Sequence, residues 1–539
     1  MKYGFVIDNR KCIGCHACTV ACKSEHDVPL GVNRTWVKQI EKGQFPDSQR
    51  VFSVMRCNQC TDAPCVEICP TQALFTRDDG IVDFNNDRCI GCKSCMQACP
   101  YDALYIDPET KTAAKCNYCA HRVDIGLEPA CVNVCPEHAI ISGDMEEPNT
   151  EISQLLSREQ VTVRKPEKGT KPNVFYINGD AASLNPNDTE PSQEYMWNSQ
   201  SAGVGHYARY AENLKSDKTL VNLVADLSAK EASFGGLGQE QPRKSIEVLM
   251  EQSGHKRVYD SPDKGVLWGW EVNSYVLTKA ISAGAILLPL MRFLMGGEVN
   301  DTTAWVSIIA ALVFLGFTGI LLVMDLDQPK RFAYVILRPH WKSWLVKGAY
   351  IITVFGGLVS LLGLAKYFHW QQIEVGALML SGVFAVLVAI YTAFLFAQAK
   401  GRDFWQSPSL VFHMLIHSVM AGTALFGISA IFDSSYSNWG GFLQNVMVIS
   451  ILINLLIVLV ELTITHPTID SKMVVKMITT GRYKRLFWIG TVLLGNMLPL
   501  GLALTGEPTM LAVAGVFVVM GIYITEKIWV EAPQRIPLS

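Results

Sequence analysis

All sixteen cysteines of the chain fall between Cys12 and Cys135, and their spacing restricts the surrounding backbone more than any other feature does. They form four groups of four. The first is Cys12-x2-Cys15-x2-Cys18-x3-Cys22, and the second is Cys57-x2-Cys60-x4-Cys65-x3-Cys69-Pro70. The third is Cys89-x2-Cys92-x2-Cys95-x3-Cys99-Pro100, and the fourth is Cys116-x2-Cys119-x11-Cys131-x3-Cys135-Pro136. Thiols so close in sequence wrap around one soft metal centre, which leaves room only for short helices and strands between them. A zinc ribbon would use separated C-x2-C pairs. A disulfide framework belongs to small secreted domains. Neither accounts for four groups with a fourth thiol three residues on.

That run, closed by proline in three groups, is the bacterial ferredoxin pattern, in which the fourth cysteine serves the other cluster of a pair. The expectation is four [4Fe-4S] clusters. The linking segments repeat as well. A short apolar strand follows the second, third and fourth groups, at Ala73-Leu74-Phe75, Ala103-Leu104-Tyr105-Ile106 and Ala139-Ile140-Ile141. Gly80–Phe84 completes a hairpin with the first of these, and Trp36, Val37, Ile40 and Val51 are strand residues of an insertion between groups one and two. The recurrence reads as an internal repeat of two double-cluster units. Residues 1–11 read as a strand leading into the first loop, and Thr150–Ser157 as a helix.

Three regions follow from the change of composition along the chain. Residues 1–176 form an α+β double ferredoxin-like iron-sulfur domain. Residues 177–262 are rich in Asn, Ser, Asp, Glu and Gly and read as a polar linker, either a tether along a surface or a disordered segment. Within it, 220–229 and 246–252 have the pattern of short helices, and Gly235-Gly236-Leu237-Gly238 is too isolated to be a dinucleotide fingerprint. Residues 263–539 hold an all-α bundle of eight transmembrane helices, at 268–294, 303–325, 344–367, 376–398, 408–432, 441–463, 485–504 and 509–528. Tryptophans gather at the helix ends, as in an interfacial belt.

With an even number of spans, both termini lie on one face. The loops of that face carry Lys330, Arg331, Arg338, Lys342, Lys400, Arg402, Lys472, Lys476, Arg482, Lys484, Arg485, Lys527 and Arg535, against Arg292 and Lys366 opposite. This asymmetry places the first face, with the iron-sulfur domain, in the cytoplasm of a cell with an inner membrane. A competing reading makes the basic loops a docking surface for the acidic cluster domain. Met1–Asp8 has neither an apolar signal stretch nor a twin-arginine pair, so no export signal is expected. A net charge of −3 argues against nucleic acid as a partner.

The cysteine half resembles the electron-transfer subunits of molybdopterin oxidoreductases acting on polysulfide, dimethyl sulfoxide or formate, including the wide gap of the fourth group. The resemblance implies one cluster on Cys12, Cys15, Cys18 and Cys135, and its partner on Cys116, Cys119, Cys131 and Cys22. It implies another on Cys57, Cys60, Cys65 and Cys99, and the last on Cys89, Cys92, Cys95 and Cys69. The C-terminal half resembles the NrfD membrane subunits of polysulfide reductases. It does so through Asp325-Leu326-Asp327-Gln328-Pro329-Lys330-Arg331-Phe332, Arg338-Pro339-x4-Trp344, Tyr391-Thr392-Ala393-Phe394-Leu395 and Lys400-Gly401-Arg402-x2-Trp405-x2-Pro408. That family binds a membrane quinone, menaquinone or ubiquinone, with polar groups on helix one and a tyrosine on helix four. Tyr391 matches that tyrosine, while Tyr275 and Val272 stand where relatives can have histidine and asparagine.

The residues add candidates of their own. Glu271, Tyr275, Lys279 and Ser282 share one helical face. A lysine inside a membrane helix is expensive and marks a functional position unless it is spent on an internal pair, here with Glu271 or Asp325. Tyr275, Lys279 and Tyr391 are the candidates to hold a quinone and supply protons. His413 and His417 are four apart on helix five, which suits haem, a quinone or proton path, or plain packing; no facing pair of histidines favours haem. Asp325, Glu461 and His466 are helix-end candidates for proton exchange.

The expected function is a quinone-linked electron-transfer and membrane-anchor subunit, wired to a separate molybdopterin- or tungstopterin-containing catalytic chain. An energy-converting proton translocator is the alternative. It needs a polar path to the far side, where the helices offer little beyond Asn454 and Asn496. A redox-sensing membrane protein is a third reading, and sixteen cluster cysteines are excessive for it.

Overall fold

The computed structural model of the chain describes residues 1–43, 46–189, 255–261, 264–431 and 439–539. It divides into two compact units. One comprises Met1–Leu267 with Ala399–Arg402 and Gln534–Ser539, and the other Trp268–Gln398 with Asp403–Pro533.

The first unit is built on β1 (Tyr3–Asp8). Its run Phe5-Val6-Ile7 is fully buried, as in a strand covered on both faces. β1 pairs in parallel with β10 (Val174–Ile177) and antiparallel with β8 (Ile140–Asp144), and β9 (Val161–Thr162) completes the order β8-β1-β10-β9. Alternation along β1 sends Phe5 and Ile7 into a core with Trp36, Tyr118 and Val174. Val6 points the other way, onto Ile141 and Ile152. Ile152 belongs to the helix Glu151–Arg158, which begins where the sequence predicts because the Thr150 side chain accepts a hydrogen bond from Ser153 N.

The predicted insertion strands are β2 (Thr35–Lys42) and β3 (Gln49–Arg56), paired antiparallel with Ile40 opposite Val51. The predicted hairpin is β4 (Leu74–Thr76) on β5 (Val82–Phe84). After the third group, β6 (Tyr105–Ile106) pairs with β7 (Ala113–Ala114).

The segment read as a linker over 177–262 folds into this unit at both ends. Residues 181–184 form a helical turn with Ala182, Ser183 and Leu184 buried. β11 (His255–Tyr259) pairs with β2 as a third strand of its sheet. The Arg257 guanidinium donates to Thr189 Oγ1 and to Pro186 O, and Asp260 accepts from Trp36 Nε1 at 2.6 Å. Apolar periodicity could not reveal this, because the strand His-Lys-Arg-Val-Tyr is mostly polar and its burial comes from ion pairing. The helices predicted over 220–229 and 246–252, and Gly235–Gly238, lie outside the described residues.

Among the described residues the second unit holds eight helices long and apolar enough to cross a membrane, within six residues of the expected ends: Trp270–Leu294, Asp301–Met324, Trp344–Tyr367, Gln371–Gln398, Ser409–Ser429, Gly440–Thr463, Leu486–Ala503 and Pro508–Gln534. They are numbered one to eight below. Helices one and five are the most enclosed. One apolar core joins helices one to four through Ile286, Ile308, Phe355 and Val388. A second joins helices one, five, six and eight through Leu288, Met420, Met447 and Val518. Helix one belongs to both cores because it meets helix five without side chains between them. A Cβ on Gly284 would fall 2.6 Å from Gly422 N, so only glycine permits the approach. Helix seven opens with a π-helical stretch, Leu486–Met497. There Asn496 Nδ2 donates to Thr491 O at 2.7 Å, and Asn454 Nδ2 donates to Asn496 Oδ1 at 2.9 Å. The two asparagines read as far-side polar groups thus bind each other.

Candidate functional site

Backbone conformation shapes the cysteine loops. Gly14 and Gly91 occupy equivalent places in the runs Cys12-Ile13-Gly14-Cys15 and Cys89-Ile90-Gly91-Cys92, with φ of 71° and 70°. The residues just after each run, His16 and Lys93, also have positive φ, at 61° and 59°. Left-handed residues at matched positions curl both loops around a centre, and glycine tolerates this where other residues are strained.

Three chambers collect the thiols in groups of four. One is lined by Cys12, Cys15, Cys18 and Cys135, another by Cys57, Cys60, Cys65 and Cys99, and a third by Cys69, Cys89, Cys92 and Cys95. Cys22 interacts electrostatically with Cys116, Cys119 and Cys131, and with Arg34. In each case three thiols of one group meet the last thiol of another. None of the sixteen is in a disulfide. Four soft donors converging on each chamber are the donor set an iron-sulfur cubane takes.

The surroundings of the thiols are cationic and rich in donors. Buried Arg56 donates from Nη1 to Cys131 Sγ at 3.3 Å, and its guanidinium stacks over the Phe5 ring. Buried Lys115 donates to Cys116 O at 3.0 Å and to Val82 O. Main-chain amides of Ala113 and Ala139 point at Cys89 and Cys135 sulfurs. His26 Nε2 lies 3.1 Å from Cys119 Sγ. Burial, helped by Arg34 and His121, lowers the His26 pKa to about 4, so near neutral pH its ring is uncharged and can donate N–H to the sulfur. Further out, burial and the neighbouring Arg257 push the Lys38 ammonium well below its usual range, although Asp260 stands 3.9 Å away.

In the second unit, Tyr275, Lys279 and Tyr391 come together in the interior. Lys279 Nζ donates to Thr392 Oγ1 at 2.7 Å and to Ala389 O at 3.1 Å, and it sits 4.8 Å from the centre of the Tyr391 ring. The hydroxyls of both tyrosines are turned to Thr392. Tyr391 can lie flat because Gly348 of helix three has no side chain to oppose the ring. The shared face drawn from the helix-one sequence is divided. Ser282 Oγ donates to Ala311 O on helix two, and Glu271 stays half-buried in the first turn. Asp325 caps the end of helix two.

His413 and His417 belong to another constellation. His413 Nδ1 is 3.0 Å from Glu461 Oε2 on helix six, and His417 Nδ1 is 2.7 Å from Glu526 Oε1 on helix eight. His413 Nε2 stands 3.8 Å from the same Glu526 oxygen. Glu461 also accepts from Trp529 Nε1 and Ser409 Oγ, both at 3.0 Å. His466 donates no ring to this group; its Nε2 meets the Glu461 main-chain oxygen. Sequence reasoning missed Glu526 because Lys527 beside it made it look like part of a solvated helix end. The signal was its place in the last turns of an otherwise apolar helix, level with the two histidines.

Comparison with known proteins agrees with both halves. Residues 11–74 and 49–145 match models described as 4Fe-4S dicluster domains. The chain is 48% identical over 190 residues to a tetrathionate reductase subunit of Salmonella typhimurium, covering 34% of this chain and 76% of that protein. It is 45% identical over 181 residues to one of the polysulfide reductase chains of Wolinella succinogenes, covering 33% of this chain and 94% of that one. It has the same identity over the same length to protein NrfC of Escherichia coli, of which it covers 81%. Residues 261–532 match the model described as polysulphide reductase, NrfD. An iron-sulfur, 4Fe-4S electron carrier is thus joined in one polypeptide to a multi-pass membrane bundle, and the chain belongs to the polysulphide reductase NrfD family.

Proposed function

We propose that the chain conducts electrons between an external catalytic subunit and a quinone dissolved in the membrane. Four [4Fe-4S] clusters are held by the four ligand sets implied by the sequence, each with three thiols from one group and one from another. Bound there, they would supply one-electron transfer. The observation that carries the reading is the buried group Tyr275, Lys279, Tyr391 and Thr392, in the same polypeptide as sixteen gathered thiols.

Quinone reduction takes two electrons and two protons, so the pocket must hold a carbonyl and deliver hydrogen. Lys279 offers a donor held in place by Thr392 and Ala389. Tyr275 and Tyr391 offer hydroxyls beside it, and their burial in a low-dielectric interior strengthens each bond. Oxidation of a quinol runs the same contacts in reverse.

The iron-sulfur unit has one exposed face of its own kind. Cys15 is the one exposed thiol, and Ile13, Val20 and Val134 near it are exposed as well. Such an apolar surface beside a cluster suits a docked redox chain. The names of the relatives, tetrathionate reductase and polysulfide reductase, support a molybdopterin or tungstopterin catalytic partner acting on a sulfur compound. The basic loops support an inner-membrane location with the iron-sulfur unit in the cytoplasm.

The test uses the purified full-length chain. Its clusters are reduced with dithionite and mixed with decylubiquinone or menadione in detergent, and their absorbance is followed. Reoxidation that slows in Lys279→Met and Tyr391→Phe, with unchanged cluster spectra, supports the pocket. Equal rates in both variants remove these residues from it. Mass spectrometry of the complex purified from its native membrane identifies the catalytic chain, and recovery of the chain without one counts against the external partner.

A further inference from the structure

The polar group around His413 and His417 is not explained by the quinone pocket, and its order is informative. It begins at the mouth of helix five, where Ser407 and Ser409 are half-buried and their hydroxyls are 2.6 Å apart. Ser409 Oγ donates to Glu461 Oε1 at 3.0 Å, and Glu461 Oε2 faces His413 Nδ1 at 3.0 Å. His413 Nε2 faces Glu526 Oε1 at 3.8 Å, and that oxygen meets His417 Nδ1 at 2.7 Å. Hydroxyl, carboxylate, imidazole, carboxylate and imidazole therefore alternate inward. The path runs from Ser409 to His417, about 12 Å along the helix at 1.5 Å per residue. Both histidines and both glutamates are at most 4% exposed.

Two features separate this arrangement from satisfied packing. His413 Nε2 and His417 Nε2 are buried and have no hydrogen-bond partner among the described residues. Neither carboxylate has a Lys or Arg ion pair among those residues, only the histidines. A buried carboxylate without a cation is costly, and the group is stabilised whenever a proton resides on it. Every flanking element contributes a titratable group at this height: His413 and His417 from helix five, Glu461 from helix six, Glu526 from helix eight. Helix one contributes Lys279. Its Gly284 packs against Gly422 of helix five, so Lys279, five residues nearer the helix-one start, lies level with His417 and one turn deeper than His413.

We propose that Ser409, Glu461, His413, Glu526 and His417 form a proton relay from the membrane surface to the depth of the quinone pocket, an inference that rests on the quinone reading above. A proton taken up by Glu461 from the Ser409 end passes to His413 Nδ1 while His413 Nε2 releases one to Glu526. One N–H bond forms and one breaks, so the ring gains no charge. A small turn of the Glu526 carboxylate, or one bridging water, closes the 3.8 Å gap. Glu526 passes its proton on to His417, and the His413 ring turns over to bring its N–H back to Nε2; two such cycles supply the two protons taken up with two electrons from the clusters. Trp529, bonded to Glu461, is a positioning residue.

The experiment uses the full-length chain with dithionite-reduced clusters. Reoxidation by decylubiquinone is followed by cluster absorbance, and proton uptake by a pH-indicator dye in weak buffer. Glu461→Gln and His413→Gln are each expected to slow both signals about tenfold or more. Ser409→Ala, at the mouth, is the milder variant and should slow them severalfold. Reoxidation by ferricyanide, which needs no proton, should keep the parental rate in all three. Small weak acids such as azide should restore Glu461→Gln, which a merely structural role would not allow. If decylubiquinone reoxidises the parent chain and all three variants at one rate, the relay is overturned and the quinone pocket stands. If the parent chain does not respond to decylubiquinone, both fall. One equivalent of zinc per chain that disappears in His413→Gln would also overturn the relay, since a metal would occupy the lone pairs it needs.

Discussion

The charges buried beside the thiols and those buried around helix five are opposite in sign. In the iron-sulfur unit the buried charged side chains near the thiols are cations: Arg56 against Cys131, and Lys115 beside Cys116. A cubane ringed by four thiolates is an anion, so these cations complete a balanced interior once metal is bound. In the membrane unit the buried group around helix five is built from carboxylates, Glu461 and Glu526, with histidines for company. Arginine cannot release its proton, whereas histidine and glutamate can. On the relay proposed above, one interior would hold a fixed charge and the other let a mobile one pass.

Removing the fixed charge from the first unit should have the largest effect. Chelation of iron should unfold the cysteine loops, measured as protease sensitivity of residues 1–189, while the helical circular dichroism of the bundle persists. Intact protein should carry about sixteen iron atoms per chain. A value near four, or zinc instead, would undo the comparison at its base. Arg56→Met comes next. It leaves a buried anion without its cation, and should lower stability by about 3–5 kcal/mol in thermal unfolding and reduce iron retention.

In the bundle, the pair His417–Glu526 offers the sharper contrast. Glu526→Leu alone, or His417→Leu alone, should destabilise by about 3 kcal/mol, while the double variant should recover most of it, as buried pairs do when both partners become apolar. A double variant as unstable as the sum of the singles would mean that the two side chains do not act as a pair. Gly284→Val should cost about 1–3 kcal/mol by forcing helices one and five apart. His26→Leu should have the smallest effect, a modest fall in the reduction potential of the cluster that includes Cys119, read by redox titration.

The same contrast explains what could be read before the fold was known. Cluster loops are local: Cys12, Cys15 and Cys18 lie within seven residues, so spacing alone reveals their common centre, and the repeat of Cys-Ile-Gly-Cys predicts matching backbone at Gly14 and Gly91. Long apolar runs likewise located the eight helices. The polar chemistry of the bundle is assembled from distant segments. Lys279 and Thr392 lie on helices one and four, and His417 and Glu526 on helices five and eight. Helical spacing grouped Lys279 with Glu271 and Ser282, which sit on its own helix. The structure gives it to Thr392 and Ala389 instead. Glu461 and His413 were each visible as candidates, but not that they meet, nor that Ser409 and Trp529 donate to Glu461. The β11 strand was hidden because its partner, β2, precedes it by more than two hundred residues.

The clasp between Arg257 and Thr189 has one further consequence. Whatever residues 190–254 do, the chain leaves the iron-sulfur fold and re-enters it at a single point. The described residues on either side of that stretch are therefore fastened to each other by the first unit itself. In evolutionary terms the clasp is a seam, which lets one small sheet take its strands from two distant parts of the sequence.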